Sequence, residues 1–540
     1  MTEYKYLPEP HSMSISALAS EIEKGIIKIP QFQRDFVWTK QKSAELLDSI
    51  IKGYPIGTFI FWKTKEELRS IRNLGGLELP KTPKGDFIVY VLDGQQRLTS
   101  IFAAVKGLKV VRDDGDAEDF STFFVDLYAG PDDAIVVTET EEDATEFRWI
   151  RLHDLLFGKL SLLGRYPESG QERIQEYKDR LNSYQFPVVS IKEAPIDVAT
   201  TIFTRLNVSG KSLSMFEIMV AKTYDGEANF DLAERYDSLI VDLEKKNFGT
   251  LPNAAVLQTL ALCLTKDAKK KSILSMKKDR VIDEWDRVST AIKKSVDFLR
   301  NAVGVPVSQL LPYPAIIAPF AYYFFIADRN PDAERSAMLQ SFFWRVGLGE
   351  RYAHASDTNL NQDIKRMEII VDGKEPTYDW HVDFSADSIK AKGVFATGRA
   401  YIKTLLCMLA SKHPLSFRDN SQVNIRNDWL AQSNSKNYHH FFPKSFLAKL
   451  GWELKMANHI LNITLVDDQL NKSEIKAKPP SRYIAGYERK NLELKKALTT
   501  HLIGRTSFGI DDDDYQKFFD QRARRFSKEL AKKLGVEPME

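Results

Sequence analysis

The sequence predicts a multidomain α+β protein with a helical middle, and four observations predict it. The chain has 540 residues, which at roughly 150 residues per domain is material for three or four domains. Before residue 225, strand-like runs alternate with helical ones. From 226 to 410 the apolar spacing is almost entirely helical, with long amphipathic stretches and little strand signal. The segment 436–483 then changes character, and a terminal helix follows. The expected domains are therefore 1–225, 226–410 and 411–540.

The elements follow in order. Ile15 to Gly25 reads as a short amphipathic helix stopped by glycine. Ile26 to Pro30 is a brief apolar strand. Thr39 to Lys52 carries Leu46, Leu47, Ile50 and Ile51 at helical spacing behind Thr39 as N-cap, and Gly53-Tyr54-Pro55 ends it. Thr58 to Trp62 and Phe87 to Leu92 are strands. The second runs straight into Asp93-Gly94-Gln95-Gln96-Arg97, and a helical period resumes from Leu98 to Val105. Residues 111–148 hold thirteen Asp/Glu against two Arg, which reads as a solvated, partly irregular insertion that would repel a nucleic acid. Phe186 to Ile191 is a further strand, and Val198 to Arg205 and Ser214 to Lys222 are helices. Near the end, Asp511 to Asp514 precede a helix carrying Arg522, Arg524, Arg525 and Lys528. Carboxylates at a helix N-terminus are favoured by the macrodipole, so this run is expected to cap the helix rather than bind metal.

Composition narrows the class. Hydrophobic residues make up 43% and charged residues 28%, which is ordinary for a soluble globular chain and excludes a disordered, collagen-like or disulfide-stapled protein. Lys and Arg total 76 against 74 Asp and Glu, a net charge of +2. Any nucleic-acid signal must therefore be regional. Residues 431–540 hold 20 Lys/Arg and 14 Asp/Glu, an excess of six compatible with phosphate contact. Cys263 and Cys407 lie far apart in apolar stretches, so no zinc site or disulfide framework can be built from them, and buried thiols in a reducing compartment are expected. The N-terminus has no apolar signal segment. Leu310 to Ala327 is the most membrane-like stretch, but Pro312, Pro314 and Pro319 make it a buried helix with a proline-rich entry. The expected location is the cytoplasm, without membrane contact.

Two constellations carry chemistry. Asp93-Gly94-Gln95-Gln96-Arg97 sits between a strand and a helix, where backbone amides meet an anion. Gly94 allows close backbone approach, Arg97 offers a fork for phosphate, and Gln95 can bond a base or sugar. Upstream, Gln33 and Arg34 stand beside Phe36 and Trp38, a cradle suited to a nucleotide. An ion-pair network of Arg34, Asp93 and Arg97 explains the same residues equally well. No P-loop motif is present. In the second constellation, Asn437-Tyr438-His439-His440-Phe441-Phe442-Pro443 places two histidines before an apolar pair and a proline. Asn462 and Asn471 follow. An imidazole can deprotonate water at neutral pH, and a second imidazole with an amide oxygen can hold a divalent cation. Adjacent residues on a strand point to opposite faces, so the two imidazoles serve one centre only if the backbone bends.

Both constellations carry a family resemblance. Ile29-Pro30-Gln31-Phe32-Gln33-Arg34-Asp35-Phe36-Val37-Trp38, then Asp93-Gly94-Gln95-Gln96-Arg97-Leu98-Thr99, resembles the signature of the N-terminal domain of GmrSD-type, modification-dependent (type IV) restriction endonucleases. Phe203-Thr204-Arg205-Leu206-Asn207 through Gly210, Leu213 and Glu217 is similar to the later part of that domain. His439-His440-Phe441-Phe442-Pro443, Asn462-Ile463-Thr464-Leu465 and Asn471-Lys472 with Pro480, Ser481 and Tyr483 resemble the C-terminal nuclease domain of the same family.

The resemblance implies a ParB/sulfiredoxin-like N-terminal fold that binds and hydrolyses a nucleoside triphosphate, GTP or ATP, through Gln33, Arg34, Asp93, Gly94, Gln95 and Arg97. It implies an HNH-type, ββα-metal C-terminal fold that cuts modified double-stranded phage DNA with Mg²⁺ or Mn²⁺. In that fold His440 is the general base, Asn462 orients it, and His439 and Asn471 ligate the metal. Asn471 stands where the simplest HNH pattern has histidine. A nucleotide-responsive DNA-binding regulator with an inactive nuclease domain and an RNase-type abortive-infection effector are the alternatives. The modification sensed, the nucleotide used and a homo-oligomeric state stay open.

Overall fold

The computed structural model describes the chain apart from residues 1–5, 31–35, 69–72, 75, 76, 79, 81, 84, 112–116, 131, 141–146, 207–213, 328, 428–437, 467–477, 539 and 540. Gln33, Arg34, Asn471 and Lys472, and Gly210 and Leu213, lie outside the described residues. The architecture is mixed α+β, in two compact units, Met1–Asp231 and Leu232–Glu540.

The first unit is built on a five-stranded mixed sheet of β1 (Glu9–Ser14), β2 (Ile27–Lys28), β3 (Phe59–Thr64), β6 (Ile88–Asp93) and β12 (Gln185–Lys192), in the order β1-β12-β3-β6-β2. β3 is central. It runs parallel to β12, with Val188 opposite Phe59, and antiparallel to β6, with a register shift between Ile60 and Phe61. Side chains alternate across it. Phe59 and Phe61 enter the main core with Leu47, Ile50, Leu98 and Phe102. Trp62 faces the other way against Tyr90, ring centroids 5.6 Å apart, and its Nε1 donates to the Ala194 carbonyl at 2.8 Å. Three helices share the main core: α1 (Ile15–Glu23), α2 (Lys40–Ile51) and α3 (Gln95–Lys106). Thr39 caps α2, accepting from the Lys42 amide, as the sequence predicts. A capping box of Ser214 and Glu217 opens the helix Met215–Thr223.

Two features of this unit were not anticipated. β1 has no alternating apolar pattern, because it lies on the sheet edge and is exposed along most of its length. The acidic insertion is also more ordered than a solvated loop. A small hairpin of β4 (Asn73–Leu74) with β5 (Leu77–Glu78) precedes it, the hairpin β7 (Lys109–Val111) with β8 (Ala117–Asp119) opens it, and a sheet of β9 (Phe124–Asp126), β10 (Val136–Val137) and β11 (Trp149–Arg151) follows. Phe120, Phe123, Val125 and Leu127 join the core. The buried Asp126 is gripped by both Nε and Nη2 of Arg148, and Asp48 of α2 accepts the Ile135 amide at 2.6 Å. Apolar residues interleaved among the carboxylates explain the difference.

The second unit is helical until its last part. Helices Asn253–Thr265, Lys278–Phe298, Ile317–Ile326, Ala333–Leu348, Ser356–Val371 and Ala400–Ala410 form its body. Ile317–Ile326 is ten residues long, enters through a 3₁₀ turn at Pro314, and buries Phe320, Ala321, Tyr322 and Tyr323. Among the described residues no helix is long and apolar enough to cross a membrane. Cys407 is fully buried, its Sγ 3.0 Å from the Leu310 carbonyl, and burial pushes both thiols up. The terminal helix Tyr515–Leu534 lies against Ala333–Leu348, where Ser341 donates to the Leu534 carbonyl at 2.9 Å. This contact draws 411–540 and most of 226–410, expected as separate domains, into one compact body. Asp514 caps the terminal helix by accepting from the Lys517 amide, in line with the capping expectation.

One polar cluster lies inside the helical body. Arg351, Tyr352 and Asp363 are buried. Asp363 accepts from Arg351 Nε at 2.9 Å, from Tyr352 Oη at 2.7 Å and from Arg366 at 2.8 Å, and Arg351 lies 3.8 Å over the Trp380 ring. Two guanidiniums and a phenol are what a carboxylate needs to be buried.

Candidate active site

In the first unit, the two N-terminal motifs meet. The Gln96 side chain on α3 accepts from the amides of Val37 (2.9 Å) and Trp38 (3.3 Å), which tethers the segment directly after Gln33 and Arg34 to the β6–α3 junction. Gln95 and Gln96 are buried. Arg97 is already committed. It donates to the carbonyls of Ile56 (2.7 Å) and Thr58 (3.0 Å) and to Asp93 (3.3 Å), and its guanidinium stacks 5.2 Å from the Phe59 ring centroid. It pins the entry of β3 rather than presenting a phosphate fork, so for the Asp93–Arg97 pair the structural ion-pair explanation is the one observed. Burial also pushes the Arg97 guanidinium down.

Gly94 has a related local reason. Its φ is +94°, and a Cβ there would stand 2.5 Å from Phe59 Cδ1 and 3.2 Å from Arg97 Nη2. Packing of the chain on itself already requires its smallness. Gly94→Ala is expected to destabilise the first unit by about 2–4 kcal/mol, from left-handed strain plus a ring displaced in a packed core. A urea titration checks this, and an unchanged midpoint would contradict it.

The C-terminal residues form a sharper site. β13 (Tyr438–His440) and β14 (Ile463–Leu465) make a two-stranded antiparallel ribbon with His439 opposite Thr464 and His440 opposite Ile463. Alternation sends the two imidazoles to different faces. His439 is 3% exposed and packs edge-on to Tyr483. Its Nδ1 lies 3.2 Å from Thr464 Oγ1, whose own proton goes to the His439 carbonyl at 3.3 Å. The hydroxyl must then accept, so Nδ1 carries the ring proton and Nε2 carries the lone pair. Burial is the main cause that lowers His439 to about 3, with the neighbouring His440 and His501 adding to it.

His440 is half-buried, and burial lowers it to about 4 against the opposing effect of its hydrogen bond to Asn458. Its Nε2 lies 2.9 Å from Asn458 Oδ1. Among the described residues no other hydrogen bond reaches the ring. The imidazole is therefore neutral at physiological pH.

Asn462 does not orient His440 as expected. Fully buried, it accepts from the Phe442 amide (2.8 Å) and donates to the carbonyls of Phe442 (2.8 Å) and Ala457 (2.9 Å). It sits at the end of the 3₁₀ turn Ile460–Asn462, which aims its side chain at the Phe441-Phe442-Pro443 turn rather than at the ring. Two further residues secure that turn. Tyr483 Oη donates to the Phe441 carbonyl at 2.6 Å, and Phe441 stacks on Phe518 with centroids 4.9 Å apart. Arg522, read from the sequence as one of several basic residues on the terminal helix, is fully buried and donates to the carbonyls of Leu461, Ile463 and His501. Asn458 and Arg522 are the residues sequence reasoning missed. Nothing in their spacing marks them, because each acts across a turn or from a distant helix.

Among the described residues no group of three His, Cys, Asp or Glu side chains could hold a metal ion. His439 fits a ligand's role singly, with no hydrogen-bond partner for Nε2 among the described residues and a ring N–H fixed by Thr464. Asn471, its expected companion, lies outside the described residues.

Two such units, one with paired motifs at a strand-to-helix junction and one with a histidine ribbon braced by buried polar side chains, define a protein with a separate module at each end. Residues 15–224 match the family model of the GmrSD restriction endonuclease N-terminal domain, and residues 396–533 match that of the GmrSD restriction endonuclease C-terminal domain. The chain belongs to the GmrSD restriction endonuclease family and carries both of its domains. It is also 25% identical, over 584 residues, to the uncharacterized protein MJ0686 of Methanocaldococcus jannaschii, an alignment spanning 96% of this chain and 97% of that protein.

Proposed function

We propose that the protein is a type IV restriction endonuclease that cuts modified double-stranded DNA with an HNH-type site in its second unit. Family membership supports a nuclease acting on DNA. The observation that carries the chemistry is the neutral, half-buried His440 at the end of β13, next to a His439 whose free nitrogen is defined by Thr464. His440 takes a proton from water, the water oxygen bonds to phosphorus, and the phosphodiester P–O bond breaks. The leaving oxygen gains a proton from solvent, and His440 returns its own. Mg²⁺ or Mn²⁺ would stabilise charge on the leaving oxygen; Asn471 would hold it, and His439 would join the same centre as His440 through the bend by which the chain leaves β13 at Phe441 and Phe442. Asn462, Tyr483 and Arg522 keep the turn after His440 in place.

Nucleoside triphosphate binding and hydrolysis in a ParB/sulfiredoxin-like first unit belong to the same reading. Arg97 is held by two carbonyls and by Asp93, so the phosphates are left to Arg34, with Gln33 and Gln95 for the base or sugar.

The test is a cleavage assay on matched phage DNAs, with and without modified cytosine, with Mg²⁺ or Mn²⁺, and with GTP, ATP or neither. His440→Ala is expected to lower the cleavage rate at least ~100-fold, the usual contribution of a general base. Equal cutting by the variant would remove His440 from the mechanism.

A further inference from the structure

We propose that Asn458 is the residue that positions the His440 imidazole, holding it as the Nε2–H tautomer with Nδ1 left to take a proton. The role of Nδ1 rests on the nuclease reading of His440, whereas the tautomer stands on geometry alone.

The geometry fixes the amide first. Asn458 Nδ2 lies 3.2 Å from the Phe395 carbonyl, which can only accept, so the NH₂ group faces Phe395 and Oδ1 faces the ring. Oδ1 in turn can only accept, so His440 Nε2, 2.9 Å away, must carry the proton. An imidazole with a protonated Nε2 presents its lone pair at Nδ1. As Nδ1 takes a second proton, the Asn458 oxygen already in place stabilises the imidazolium. Asn462 cannot substitute, because its Oδ1 already accepts from the Phe442 amide, and its two N–H groups hold the amide in that orientation by donating to the carbonyls of Phe442 and Ala457.

Asn458 is itself held firmly. Its carbonyl accepts from the Phe395 amide at 3.0 Å, and the Ile460 amide donates to the Gly393 carbonyl at 2.8 Å. His459 bridges to Val394, and its Nε2 donates to the Lys390 carbonyl at 3.1 Å. Gly393 is needed there, since a Cβ would stand 2.3 Å from the His459 ring. The Phe395 ring also packs against Tyr438 of β13. The stretch 390–395 thus lies outside the C-terminal family match, which begins at 396, yet it sets the angle of the imidazole at the centre of that domain.

The experiment uses the full chain labelled with ¹⁵N histidine. Ring nitrogen spectra are compared for wild type, Asn458→Ala and Asn458→Asp, with His440→Gln identifying the His440 signals, and single-turnover cleavage and DNA affinity are measured alongside. Wild-type His440 is expected to show protonated Nε2 and bare Nδ1. Asn458→Ala is expected to mix the tautomers and to slow cleavage ~10- to 100-fold at unchanged DNA affinity, the usual cost of removing a supporting partner. Asn458→Asp, which still accepts from Nε2–H, is expected to keep the tautomer and most of the rate. A protonated Nδ1 in the wild type, an unchanged tautomer in Asn458→Ala, or an Asn458→Asp rate as low as that of Asn458→Ala would each overturn the proposal. If the wild type cuts no DNA, the nuclease reading falls, while the spectra still decide whether Asn458 sets the tautomer.

Discussion

Lowering the pH from 7 to 5 is expected to cost the second unit about 4 kcal/mol of stability through His459 and His501 alone, at about 1.4 kcal/mol for each unit by which their protonation lags the unfolded chain. Both rings are 1% exposed, and burial lowers each from 6.5 to about 4. His459 is bound from both sides. Its Nε2 donates to the Lys390 carbonyl and its Nδ1 accepts from the Leu461 amide at 3.2 Å, so a second proton would break a bond. His501 Nε2 donates to the Leu415 carbonyl at 2.9 Å. The sign follows from proton counts. Between pH 6.5 and 4 the unfolded chain binds these protons and the folded chain does not, so stability is present above pH 6.5 and is lost as pH falls. His439 and His440 add in the same direction. Hydrogen exchange of the terminal helix at the two pH values measures the effect locally, and equal protection at pH 7 and pH 5 would refute it. His501→Asn should remove about half of the two-histidine pH dependence whatever it does to stability at pH 7.

Replacing Arg522 is expected to be nearly as costly. The side chain is fully buried between Phe518 and Phe526, and among the described residues no carboxylate pairs with it. Its partners are three backbone carbonyls: Leu461 and Ile463 at 2.7 Å and His501 at 3.0 Å. Burial pushes the guanidinium down to about 9, so it is still charged at neutral pH. A buried ion pair can be exchanged for apolar residues at little cost, because both charges leave together. Here the acceptors belong to the main chain and stay behind. Arg522→Leu therefore recovers the cost of burying one charge but strands three carbonyls at about 1–3 kcal/mol each, for a net loss of about 4 kcal/mol. Arg522→Lys keeps the charge without the fork and should fall between the two. Urea unfolding of the three proteins checks the order, and Arg522→Leu as stable as wild type would contradict it. Since Leu461 and Ile463 flank Asn462, the same substitution should loosen the turn after His440 and depress cleavage together with stability.

These effects separate what is local from what is not. Helix α2 with its Thr39 cap, the strand running into Asp93, the capped start at Asp514 and the buried helix after Pro314 were legible because spacing, caps and breakers act within a few residues. The pairing of the two histidines with an asparagine was legible as composition. Which asparagine was not: Asn458 precedes a 3₁₀ turn and Asn462, four residues on, ends it, and the turn decides that one meets the ring and the other the backbone. Arg97 and Arg522 have the same difficulty. An arginine on a helix looks like a surface cation until carbonyls from another segment close around it. The sequence by itself determined the order of the elements with clear periodicity and caps, the family and the residue types available for chemistry. Only the tertiary structure decided which of those side chains are spent on holding the chain together, because a hydrogen-bond partner is chosen by distance in space and not by separation along the chain.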